Sequence, residues 1–71
     1  MTRSELAAKK FIQNLRALRK AQKISQAKMG EILKVHQSAV SRIESGEQGL
    51  ALWQVIRVCE YFDLTLEEMA S

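Results

Sequence analysis

The 71-residue sequence predicts an all-α domain, a bundle of five short helices, and three observations carry that reading. Apolar residues recur three and four positions apart, and no stretch alternates as a half-buried strand does. Proline is absent and glycine appears only three times, in a chain rich in Ala, Leu, Ile, Lys, Gln and Glu. Helix-start signals recur at regular intervals: a Ser or Thr followed by Glu three residues on, or flanked by a pair of apolar staple residues.

The first helix is expected from about Arg3 to Lys23. Thr2 and Glu5 have the form of a capping box, and Ala8, Phe11, Ile12, Leu15 and Leu18 define one apolar face. The second opens at Ser25, whose hydroxyl can accept from a free amide of the next turn. Ile24 and Met29 form its staple, and Met29, Ile32 and Leu33 its stripe. The third runs from about Gln37 to Ser45 with Ala39, Val40 and Ile43 on one side, and Gly46 is a left-handed stop. A fourth, from about Leu50 to Phe62, is expected to bury Leu52, Val55, Ile56, Cys59 and Phe62. The last turn-and-a-half begins at Thr65, boxed by Glu68 and stapled by Leu64 and Met69. No linker or internal repeat divides the chain, so residues 1–71 read as one domain.

A chain of this size buries only about 60% of its unfolded surface, so it needs a compact core, a staple or a partner. Cys59 stands alone, so no internal disulfide is possible, which favours a reducing, cytoplasmic setting. No apolar run approaches the roughly 20 residues of a membrane span, and MTRSELAAKK lacks the apolar stretch of a signal peptide. The net charge of +3 is unevenly spread. Arg3, Lys9, Lys10, Arg16, Arg19, Lys20, Lys23, Lys28 and Lys34 crowd the first half against Glu5 and Glu31. After Val35 only Arg42 and Arg57 oppose Glu44, Glu47, Glu60, Asp63, Glu67 and Glu68. This asymmetry points to a polyanion partner for the basic half. The alternative is a solvated lysine-rich helix surface.

The stretch SQAKMGEILKVHQSAVSRIESG, Ser25 to Gly46, holds two helices with a link of about three residues. So short a link forces them to meet at a steep angle, which is helix-turn-helix geometry. Gly30 sits inside the second helix, where it costs about 1 kcal/mol relative to alanine. That cost is tolerated where another backbone passes close, here the crossing third helix.

The segment ISQAKMGEILKVHQSAVSRIESG resembles the helix-turn-helix of the phage repressor and Cro family, also called the xenobiotic-response-element family. The shared pattern is Ser25–Gln26 opening the second helix, a small residue at Gly30, an apolar residue at Val35 and the ending Ser41 to Gly46. The likeness extends to LRALRKAQ before the motif and LTLEEM after it. It implies a lambda-repressor-like domain, such as that of restriction–modification controllers, with the motif at residues 25–46. Two positions depart from the pattern. Lys34 stands where the turn usually has glycine, at about 1 kcal/mol if it is left-handed. His36 replaces the usual Ser or Thr cap of the third helix.

On a helical wheel Gln37, Ser38, Ser41, Arg42 and Ser45 cluster opposite the apolar side of the third helix. Glutamine pairs with adenine and arginine with guanine, each with about 1–3 kcal/mol of discrimination. The resemblance makes Gln37, Ser38 and Arg42 base readers, with Ser41 and His36 as further candidates. Ser25, Gln26 and the amides beside them can hold a phosphate at the positive end of the second helix. By resemblance Ser45, Gly46 and Gln48 form a second phosphate clamp, in which Glu47 is an awkward charge. Lys28, Lys34, Lys9 and Lys10 supply attraction toward the backbone. The resemblance also pairs Arg19 with Glu44 as a buried ion pair.

The expected partner is thus double-stranded DNA, with a palindromic operator read by a homodimer, because one reading helix gives too little specificity. Leu50, Trp53, Tyr61, Leu66 and Met69 are the interface candidates, the alternative being that Trp53 or Tyr61 caps the core. No catalytic site, cofactor, metal or small-molecule ligand is expected. His36 is the lone histidine, and Cys59 lies on an apolar face. The whole reads as a stand-alone bacterial or phage regulator. Two other classes compete: a protein-binding helical module such as an antitoxin, and a basic amphipathic helix lying on a membrane surface.

Overall fold

A computed structural model describes all 71 residues and contains five helices and no strand. They are α1 (Arg3–Ala21), α2 (Gln26–Leu33), α3 (Gln37–Glu44), α4 (Leu52–Phe62) and α5 (Leu66–Met69). Local chemistry sets their starts. The Glu5 N–H donates to Thr2 Oγ1 at 3.1 Å, and the Thr2 N–H donates to Glu5 Oε1 at 3.0 Å. The Thr2 N–H, donating to the carboxylate, and after it the Thr2 side chain hold the Glu5 carboxyl below its usual range. Thr65 and Glu68 build the same reciprocal box on α5, at 2.9 and 3.0 Å.

Three helices stop on left-handed residues that carry side chains: Lys23, Lys34 and Asp63. The first of these ends α1 two residues before the sequence reading, where the Ile24 N–H turns back to Arg19 O at 2.8 Å. Lys34, at φ 58° and ψ 45°, takes the strained conformation that glycine normally supplies at this turn.

All five helices contribute to one core: Phe11 and Leu15 of α1, Met29, Ile32 and Leu33 of α2, Val40 and Ile43 of α3, Val58 of α4 and Met69 of α5. Gly30 is buried against the turn rather than the body of α3: a Cβ placed there would lie 2.6 Å from the Val35 carbonyl oxygen. The glycine is therefore what allows Lys34, Val35 and His36 to fold back tightly over α2.

The structure corrects the expected face of α4. Leu52 is 75% exposed and Ile56 52% exposed, whereas Val58 and Gln54 point inward and Val55, Cys59 and Phe62 are half-buried. It also removes Met69 from the interface candidates. That side chain is 1% exposed inside the core, and Asn14 Nδ2 holds the Met69 carbonyl at 2.8 Å. Ala8, expected on the buried stripe of α1, is exposed, because Phe11 and Leu15 fill the contact and the helix begins beyond the core. No helix is long and apolar enough to cross a membrane.

Candidate nucleic-acid interface

Ala39, Val40 and Ile43 are buried beneath α3, and Gln37, Ser38, Ser41, Arg42 and Ser45 are exposed on its far side. An eight-residue helix is marginal on its own. Its shape is imposed by those three apolar contacts and by fastenings at both ends.

At the N-terminal end His36 is the cap. Its Nδ1 accepts from the Ser38 N–H at 3.1 Å and lies 3.0 Å from Ser38 Oγ. The exposed Ser38 hydroxyl can donate to or accept from a base edge.

At the C-terminal end Arg19 Nε donates to Glu44 Oε2 at 2.6 Å, Nη2 to Glu44 Oε1 at 3.1 Å and Nη1 to Ile24 O at 2.9 Å. Gln26 Nε2 donates to the same Glu44 Oε1 at 3.2 Å. One buried carboxylate thus ties together α1, the start of α2 and the end of α3. The Arg19–Glu44 pair expected from resemblance is present, with the two side chains 10% and 4% exposed. The geometry is the paired fork of a charge-assisted bond, which a buried ion pair requires to offset its desolvation.

At the start of α2, Ser25 Oγ accepts from the Lys28 N–H at 3.0 Å, which leaves the N–H groups of Gln26 and Ala27 without a partner in the protein. These two donors, at the positive end of the helix, form an anion-binding geometry. Lys28 is exposed beside them and only loosely paired with Glu31 at 3.8 Å.

The loop after α3 is arranged differently from the expected clamp. The N–H of Gly46 donates to Ile43 O at 3.1 Å, and those of Glu47 and Gln48 to Arg42 O at 2.9 and 3.3 Å. Gly46, at φ 85°, is therefore the left-handed stop of α3 and has no free donor for a phosphate. The Ser45 hydroxyl faces Arg42 O and Glu47 Oε2 at 3.1 and 2.8 Å, which folds the awkward Glu47 carboxylate back on the loop. What remains for a phosphate is the Gln48 amide. Its Oε1 accepts from Arg42 Nε at 3.3 Å, so the terminal nitrogens of Arg42 stay free.

Lys9, Gln13 and Arg16 of α1 line one cleft with Ser45, Gly46 and Gln48. Gln13 and Arg16 were not among the sequence candidates; their position one and two turns beyond Lys9 was the available signal. Gln54 and Arg57, which reach from α4 to α2, were also missed, and no periodicity singles them out. No group of three or more His, Cys, Asp or Glu side chains could hold a metal ion.

No curated protein matches the chain. A family model described as a helix-turn-helix domain matches residues 13–71, from the middle of α1 to the last residue. The chain therefore belongs to this helix-turn-helix domain family, a family of DNA-binding regulators.

Proposed function

We propose that this protein is a sequence-specific transcriptional regulator that binds a palindromic operator as a homodimer, each copy placing α3 in a major groove. The observation that carries the proposal is the outward row Gln37, Ser38, Ser41 and Arg42 on a helix locked from beneath and at both ends. Gln37 and Arg42 have side-chain amide and guanidinium groups free to address adenine and guanine edges. The Gln26 and Ala27 amides, Gln48, Lys9, Arg16 and Lys28 would fix the duplex backbone without reading sequence. A dimer is supported by the apolar side chains that one copy leaves in water: Leu52, Trp53, Ile56, Tyr61 and Leu66.

The test is selection of bound duplexes from a random pool, followed by titration of Gln37→Ala and Arg42→Ala. Symmetric half-sites about one helical turn apart are expected. Each substitution should cost about 1–3 kcal/mol and relax preference at one base pair per half-site. Equal binding of all duplexes would overturn the proposal.

A second reading, a module whose main partner is another protein, is favoured by one observation. Ala7, Ala8, Phe11, Ile12, Leu50, Val55, Leu66 and Ala70 line an apolar groove between α1 and α5. On that reading the Gln37 and Arg42 variants would leave the protein complex intact.

A further inference from the structure

The last carbonyls of α2 have no partner within their own helix. Two of them are taken by side chains of α4. Gln54 Nε2 donates to Leu33 O at 3.0 Å, and Arg57 Nε donates to Ile32 O. Gln54 is 7% exposed, and its Oε1 accepts from the Ala51 N–H at 2.8 Å, so the amide is held at both ends. The carbonyls it and Arg57 grip directly precede Lys34, the left-handed residue from which the turn swings into α3. The same helix also carries the exposed Leu52, Trp53 and Ile56.

We propose that Gln54 and Arg57 are positioning residues that register the DNA-reading motif against the pairing helix. α4 then has two tasks. Its exposed apolar side chains set where the second copy sits, and its two polar side chains on α2, the buried Gln54 and the more exposed Arg57, set how α2, the turn and α3 stand relative to that copy. The distance and angle between the two reading helices are thus transmitted through two hydrogen bonds to the end of α2. A buried amide held at both ends suits this role, because it has one geometry, whereas apolar packing tolerates sliding. The inference rests on the homodimer proposed above.

The test uses the full chain with Gln54→Met and Arg57→Met, which keep length and lose the donors. Affinity is measured on the selected operator and on operators with one base pair inserted between half-sites. In the wild-type chain the insertion should weaken binding strongly. In the variants, operator affinity should fall about tenfold while the penalty for the insertion largely disappears. Arg57→Lys, which retains a donor, should restore part of the spacing preference. Amide exchange in the free protein supplies the second measurement: Val35, whose N–H bonds to Gly30 O, should exchange faster in the variants while α1 stays protected.

Variants that lose stability evenly across all helices and keep the wild-type spacing preference would overturn the positioning role. A wild-type chain indifferent to spacing would overturn the two-half-site reading and the transmission built on it. In that case, unchanged exchange at Val35 would also overturn the clamp itself, and faster exchange would uphold it.

Discussion

Gly30→Ala is the sharpest probe of how the motif is built, because two effects of opposite sign meet at one atom. In a free helix the change would stabilise by about 1 kcal/mol. Here the new Cβ would lie 2.6 Å from Val35 O, 3.5 Å from Gln37 N and 3.6 Å from His36 C. All three are backbone atoms, so no side chain can rotate away. Reaching an ordinary contact of about 3.4 Å requires the turn to withdraw by about 0.8 Å. The Val35 N–H is bonded to Gly30 O at 2.9 Å, so the withdrawal stretches the bond that closes α2. Overpacking costs about 1–3 kcal/mol and a weakened hydrogen bond about 1. The net expectation is a loss of about 1–3 kcal/mol after the helix gain. For a domain of this size each kcal/mol lowers Tm by about 4–8 °C. Urea unfolding followed by circular dichroism measures the loss. Duplex binding at a temperature where both proteins are folded should fall further than stability explains, because the turn carries the first residue of α3. A variant as stable as wild type with unaltered binding would show that the turn has room, and that its tightness does not orient the reading helix.

Two further substitutions test the fastenings around that turn. Lys34→Gly relieves a left-handed side chain of about 1 kcal/mol but adds freedom to the unfolded chain, so unfolding should show a net gain of a few tenths to about 1 kcal/mol; a loss would mean that the lysine side chain itself holds the turn. Glu44→Ala leaves the Arg19 guanidinium buried with Ile24 O as its one remaining partner, and should cost about 3–5 kcal/mol in urea unfolding. The double change Arg19→Met with Glu44→Leu should cost clearly less than the two single changes added, and strict additivity would show that the pair is not coupled.

Features that depend on neighbours in sequence were legible before the structure. The boxes at Thr2 and Thr65, the cap at Ser25, the stop at Gly46 and the two sides of α3 each follow from a few adjacent residues. The crowding at Gly30 was legible too, because a glycine inside a helix needs a reason, although the neighbour proved to be the turn and not α3. The loop after α3 was not, since whether its amides are free depends on how α3 terminates. Met69 misled for a related reason: a helix of four residues has so little surface that its staple residue becomes core.

The error on α4 has a different origin and carries information. Leu52, Val55, Ile56, Cys59 and Phe62 make a convincing stripe, but the fully buried pair is Val58 with Gln54, rotated by slightly more than one residue's 100° step. Periodicity assumes that apolar means inward. It fails when a glutamine is drawn in by a carbonyl 21 positions earlier, and when the helix has more apolar residues than one core can use. The surplus is Leu52 and Ile56, with Trp53 beside them and Leu66 nearby on α5. Burying each aliphatic side chain would contribute about 1.5–3 kcal/mol. Two such residues per copy barely offset the cost of association, which runs from about 4 to above 15 kcal/mol. A stable dimer through this face therefore needs Trp53 and Leu66 as well. A single charge at Leu52 should then separate the copies while leaving each fold intact, because that side chain supports nothing in its own core.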